Sequence, residues 1–117
     1  MEGGKKIIVL FDVDQTLTPA RSSIQPEMVE TLDALVAKGI HIGIVSGSDI
    51  VKVSEQVGAD IVKKSKYCFS ENGLLAMEDG VEFARQNFSK HLGEANLKRL
   101  INFALKYIAD LDIPIKR

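Results

Sequence analysis

Two carboxylates one residue apart, Asp12 and Asp14, close a run of apolar residues from Ile7 to Phe11. At the end of a buried strand such a pair can divide labour. One carboxylate attacks phosphorus and coordinates a cation while the other gives or takes a proton. Oxygen ligands of this kind suit magnesium, a hard octahedral ion that keeps several of its waters. Asp is also common in the turns where strand ladders end, so the bare Asp-x-Asp decides little. The neighbouring Thr16 and a second apolar run, Ile40 to Val45, ending in Ser46-Gly47 give it weight. Other groups that could do chemistry lack partners. His41 and His91 stand apart from any nucleophile or metal ligand, and Cys68 reads as a small core residue. The run Lys63-Lys64-Ser65-Lys66 reads as a solvated surface, and Ser70-Glu71-Asn72-Gly73 as a structural turn.

These residues need a scaffold. Ile7 to Phe11 is apolar without alternation and rich in β-branched residues, the pattern of a strand buried on both faces of a parallel sheet. From Pro26 to Lys38 the apolar residues Met28, Val29, Leu32, Leu35 and Val36 recur at helical spacing, with Pro26 in the first turn and Gly39 at the C-terminal cap. The strand, helix and second strand form a unit whose strands run parallel and end on the same edge. In open α/β sheets that edge is where ligands bind. After the second strand Ser48 is placed to cap a helix ending at Gly58, and Tyr67 to Phe69 forms a third short strand. Leu74 to Met77 and Val81 to Ala84 flank Asp79-Gly80, a hairpin signal. A last helix from Glu94 to about Asp110 carries Leu97, Leu100, Ile101, Ala104, Leu105 and Ile108 as one apolar stripe, read as a packing face. No return to a strand follows Pro114.

With 117 residues and 45% apolar content the chain is the size of one domain and can furnish a core. Fifteen basic against 16 acidic residues leave a net charge of −1, which provides no footprint for nucleic acid or an anionic membrane. The single cysteine cannot form an internal disulfide, and no apolar run is long enough for a signal peptide or a membrane span. The expectation is a soluble, cytoplasmic protein.

The buried strand ending in Asp12, followed by Thr16 and by a strand ending in Ser46-Gly47, resembles the recurring arrangement of the haloacid dehalogenase superfamily. Five segments narrow the resemblance. Phe11-Asp12-Val13-Asp14, Leu17-Thr18-Pro19-Ala20-Arg21, Gly47-Ser48-Asp49, Ser70-Glu71-Asn72-Gly73-Leu74 and Ile108-Ala109-Asp110-Leu111-Asp112-Ile113-Pro114, in this order, are similar to eukaryotic-type phosphomannomutases. The resemblance implies an α/β, Rossmann-like haloacid dehalogenase core, incomplete over residues 1–81, and the beginning of a truncated α+β cap over residues 82–117. It implies that Asp12 attacks a phosphoryl group, that Asp14 is the general acid and base, and that Arg21, with Ser46 and Gly47, binds substrate. Magnesium would be held by the Asp12 side chain and the Asp14 carbonyl. A sugar 1,6-bisphosphate activator, hexose phosphate substrates, a role in GDP-mannose synthesis and a homodimer formed through the cap are implied as well.

Two alternatives stay open, a sugar-phosphate phosphatase of the same superfamily and a non-catalytic truncated isoform or fragment. Taken alone, the chain is expected to be inactive, because further site residues of this family come from later core segments. Gln15 and Ser46 stand where the family usually has glycine, and Gln15 puts the backbone beside the nucleophile in question.

Overall fold

The computed structural model describes residues 4–115, so Lys116 and Arg117 at the end of the expected cap segment lie outside the described residues. Two compact units divide the chain, Met1–Arg85 and Gln86–Arg117. In the first, β1 (Ile8–Asp12), α1 (Pro26–Ala37), β2 (His41–Val45), α2 (Ile50–Val57), α3 (Ala59–Lys64) and β3 (Tyr67–Ser70) lead through a 3-10 turn to the hairpin of β4 (Leu75–Glu78) and β5 (Val81–Arg85). The sheet has the order β1-β2-β3-β4-β5. Its first three strands are parallel and its last two antiparallel, as the crossover and hairpin signals require. Asp79 and Gly80 have φ of 52° and 81°, the paired left-handed geometry that a two-residue Asp-Gly hairpin turn uses.

The core gathers Leu32 from α1, Val53 and Val57 from α2, Ile61 and Val62 from α3, and Ile42, Ile44 and Cys68 from the sheet. Leu32, Ile42 and Ile44 are almost wholly removed from water, and each such burial contributes about 1.5–3 kcal/mol. These helices pack on one side of the sheet only. The expectation that β1 is buried on both faces therefore fails: Phe11 packs against the core, whereas Ile8 is 43% and Leu10 55% exposed. Leu10 lies over Gly43 of β2, where a Cβ would come within 2.5 Å of its Cδ2, so the space glycine leaves is filled by the neighbouring strand.

Two further expectations change. Asp49, not Ser48, caps α2, its Oδ1 accepting the Lys52 N–H at 2.9 Å. The Ser48 N–H is engaged by Ser46 Oγ and its carbonyl by Glu71, which holds Ser48 in the loop before the helix. The lysine run is not uniformly solvated. Lys63 and Lys64 end α3, whose Ile61 and Val62 are buried, and Ser65 is sealed beneath it with its hydroxyl donating to Ile61 O at 2.7 Å. Lys64 pairs with Asp33 of α1 at 2.9 Å, and Lys66 reaches Glu78 at 2.8 Å and Asp79 at 3.2 Å in the hairpin.

The second unit holds α4 (Phe88–Leu92) and α5 (Glu94–Ala109), parted by Gly93 at φ 83°. The polar stretch around His91 is thus a short helix, capped by Asn87 through the Lys90 N–H. The apolar stripe of α5 is present, but Leu100, Ile101, Leu105 and Ile108 are all exposed, so the expected packing face is not buried.

Candidate active site

Asp12 ends β1 in register with Val45, and Val45 is in register with Phe69. Three parallel strands therefore finish level, and the residues that follow share one edge of the sheet. The loops after β2 and β3 are laced together there. Ser46 N–H donates to Phe69 O at 2.9 Å, Asn72 N–H to Ser46 O at 3.0 Å, and Glu71 N–H to Ser48 O at 2.8 Å. To make these contacts Glu71 and Asn72 adopt φ of 52° and 57°, strained for residues with a Cβ. The Asn72 carboxamide lies against Gly47, where a Cβ would sit 3.3 Å from its Oδ1. A cavity of about 460 Å³ opens between these loops, lined by Asp12, Val45, Ser46, Gly47, Phe69, Asn72 and Gly73.

Beyond Asp12 the chain turns on a single carbonyl. Val13 O accepts the N–H groups of Thr16, Leu17 and Thr18 at 3.2, 2.9 and 3.0 Å, while Val13 and Leu17 are buried in the core. The turn forces Gln15 to φ 61°, with its N–H donating to Thr18 O at 2.7 Å. The backbone here does call for the left-handed conformation that glycine adopts without cost. Asp14 follows Val13 with one carboxylate oxygen held twice. Oδ1 accepts the Arg21 N–H at 3.0 Å and Gln56 Nε2 at 2.7 Å. The Gln56 amide first, and the Arg21 N–H second, hold the Asp14 carboxyl below the usual carboxylate range. Burial pushes the Cys68 thiol up, in keeping with its place in the core.

The expected residues thus fall into two groups. Asp12, Ser46 and Gly47 line the first cavity; Asp14 and Arg21 line a second, of about 540 Å³, with Ser22, Ser23, Ser48, Lys52, Glu55 and Gln56. Ser46 Oγ accepts the Ser48 N–H at 3.1 Å, which leaves its hydroxyl proton free to donate. Among the described residues no three His, Cys, Asp or Glu side chains gather to enclose a metal ion. The oxygens present at the strand end, the exposed Asp12 carboxylate and the Asp14 carbonyl, fit only an ion that retains most of its waters, which magnesium does. The sequence reading gave Gln56 no place in the site and took Asn72, which lines the first cavity, as part of a structural turn. Gln56 shares the buried stripe of α2 with Val53 and Val57, and a polar residue on an otherwise apolar stripe was the available signal.

A family model described as eukaryotic phosphomannomutase matches residues 28–117. A phosphomannomutase from Dendrobium officinale is 54% identical over 111 residues, covering 95% of this chain and 44% of the relative. Phosphomannomutase 2 of Dictyostelium discoideum is 50% identical over 117 residues, covering 100% of this chain and 47% of the relative. That alignment runs across Asp12, Asp14 and Arg21, which the family model's match does not include. The chain spans about half the length of the curated relatives it matches. Among solved structures, a haloacid dehalogenase-like hydrolase from B. subtilis superposes with a TM-score of 0.65 at 19% identity, over 86% of this chain and 34% of its own. A sugar phosphatase of subclass IIB in the same superfamily superposes with a TM-score of 0.52 at 25% identity, over 69% and 31%. The fold is the α/β fold of the haloacid dehalogenase superfamily, and the chain belongs to the eukaryotic phosphomannomutase family.

Proposed function

We propose that the chain carries the nucleophile of a phosphomannomutase that interconverts mannose 6-phosphate and mannose 1-phosphate. The supporting observation is the place of Asp12, at the carboxyl end of β1, level with the ends of two parallel strands and facing Ser46 and Gly47 across one cavity. An Asp12 oxygen attacks phosphorus of a sugar 1,6-bisphosphate. The bond from phosphorus to the sugar oxygen breaks as that to Asp12 forms, and Asp14 protonates the departing sugar oxygen, which becomes a hydroxyl. An incoming mannose 6-phosphate then presents its 1-hydroxyl, Asp14 takes that proton, and the phosphoryl group passes from Asp12 to that oxygen. The bisphosphate so formed turns round and returns its 6-phosphoryl group to Asp12, leaving mannose 1-phosphate. Arg21 clamps phosphate, and the Ser46 hydroxyl donates to it. The Asp12 carboxylate and the Asp14 carbonyl would hold magnesium, which would supply charge compensation for the transferring group. The same reading takes residues 1–81 as core and 82–117 as the opening of a cap through which the complete enzyme dimerises. It assigns the product to GDP-mannose synthesis in the cytoplasm. Among the described residues no helix is long and apolar enough to cross a membrane.

The test grafts residues 1–117 in place of the matching segment of the Dictyostelium relative and follows the interconversion of mannose phosphates with magnesium and the bisphosphate. The hybrid isomerises its substrate, Asp12→Asn reduces turnover to background while the fold persists, and the ungrafted 117-residue chain shows none. Isomerisation by a folded Asp12→Asn hybrid would refute the nucleophile assignment. The likeness to a sugar phosphatase favours one second reading, in which water resolves the phosphoenzyme. Release of free phosphate without isomer formation would decide for it.

A further inference from the structure

Gln56 is a buried polar residue, 7% exposed, for which the proposed reaction has so far given no role. Its side chain sits between two acceptors, Asp14 Oδ1 at 2.7 Å and the Ser22 carbonyl at 3.5 Å. Because neither neighbour can donate, the amide must present its NH₂ to both, and its orientation is fixed by its partners. The main chain of the same residue joins the arrangement, since Gln56 O accepts the Ile24 N–H at 2.7 Å. One residue of α2 therefore ties down the acidic turn after β1 and the far end of the loop that carries Arg21. Val53 and Val57, its neighbours on the helix, are buried in the core, so the anchor is rigid.

We infer that Gln56 is a positioning residue for the proton-transferring Asp14. It immobilises Oδ1 together with the Arg21 N–H and leaves Oδ2, which no donor among the described residues reaches, as the oxygen that exchanges the proton with the sugar hydroxyl. The inference rests on the reading of Asp14 as general acid and base. Its geometric content concerns one side chain with a single fixed rotamer in place of several. A carboxylate held by one weak backbone donor on an exposed turn samples more than one χ1 well, whereas a second, charge-assisted hydrogen bond from a buried amide selects one. The recognised chemistry is that of a carboxylate, and an apolar side chain of similar size cannot supply it.

The experiment uses the 117-residue chain, with the three-bond couplings from Asp14 Cγ to its own nitrogen and carbonyl carbon read by NMR, since these report χ1. Wild type gives the pattern of one rotamer. Gln56→Leu keeps the volume in the core and loses the donor; the pattern is lost to rotamer averaging while melting temperature and the amide spectrum of the sheet are retained. Gln56→Glu keeps the length but sets a second carboxylate against Asp14, and gives the same loss should the leucine variant not fold. A role confined to packing or to holding the Ser22 loop would leave the Asp14 couplings unchanged, and an unchanged single-rotamer pattern in a folded variant overturns the inference. Rotamer averaging already present in the wild type overturns it too. Because no turnover is measured, these outcomes stand apart from failure of the nucleophile assignment, which is read from Asp12→Asn in the hybrid.

Discussion

Gln15→Gly should stabilise this protein, although it removes a side chain and adds a flexible residue. Gln15 stands at φ 61° because Val13 O gathers three successive N–H groups and Gln15 N–H turns back to Thr18 O. A residue with a Cβ costs about 1–2 kcal/mol in the left-handed region. Glycine removes that cost but loses roughly 0.5–1 kcal/mol through the greater freedom of its unfolded chain. The difference is a gain of about 0.5–1 kcal/mol, or roughly 2–8 °C in melting temperature for a unit of this size. The side chain itself is exposed and makes no hydrogen bond among the described residues, so Gln15→Ala, which keeps the Cβ, should stay within about 0.5 kcal/mol of wild type. Differential scanning calorimetry of the three proteins under one buffer condition measures both. If the glycine variant is no more stable than the alanine variant, the turn does not strain Gln15, and the account of the backbone beside the nucleophile is wrong.

Arg21→Ala should raise the KM of the grafted hybrid for mannose 6-phosphate about tenfold or more with stability within about 0.5 kcal/mol, because the guanidinium forms no ion pair among the described residues and only its N–H serves the fold. Lost stability with unchanged kinetics would make it a structural residue. Glu78 first, then Asp79, push the Lys66 ammonium up to about 12. A raised value means that the stabilisation is complete below the ordinary lysine range and fades as pH climbs through 12, so melting temperature should fall across that interval less steeply in Lys66→Met than in wild type. Ser70 Oγ is fully buried without a hydrogen-bond partner among the described residues, so Ser70→Ala should raise stability by about 1 kcal/mol in urea titrations. A loss would reveal a partner for that hydroxyl.

The elements around the site were legible because their signals are local. The unbroken run before Asp12, the spacing from Met28 to Leu35 and the Asp79-Gly80 turn each named their element to within a residue or so at the ends. Helix α3 was not, since six residues are too few to show a helical period and its buried pair Ile61-Val62 precedes a run of lysines that dominates the reading. Burial of β1 on both faces was inferred from composition, yet covering a face depends on where every helix lands, which no single strand encodes. In the site, Asp12 and Asp14 could be picked out by type and spacing and Arg21 only through the resemblance of its segment to the family, whereas the partner of Asp14 lies 42 residues away in the chain, so only the tertiary fold brings it into reach. The separation of Asp12 and Asp14 into different cavities likewise depends on how the loops after β1 and β2 lie against each other.

The sheet order places β1, the strand that ends in Asp12, at a margin among the described residues. Among the described residues β1 is bonded to β2 alone, while β2 is held by β1 and β3. In a parallel pair a strand uses every second N–H toward one neighbour, so alternate amides of β1 face no strand partner. Protection against hydrogen exchange should therefore peak in β2 and drop across the segment that ends in Asp12, with fast and slow amides interleaved along it. Asp12, the proposed nucleophile, is then carried by a strand expected to open more readily than its neighbour, with the firmest part of the sheet one strand away, beneath Ser46 and Gly47.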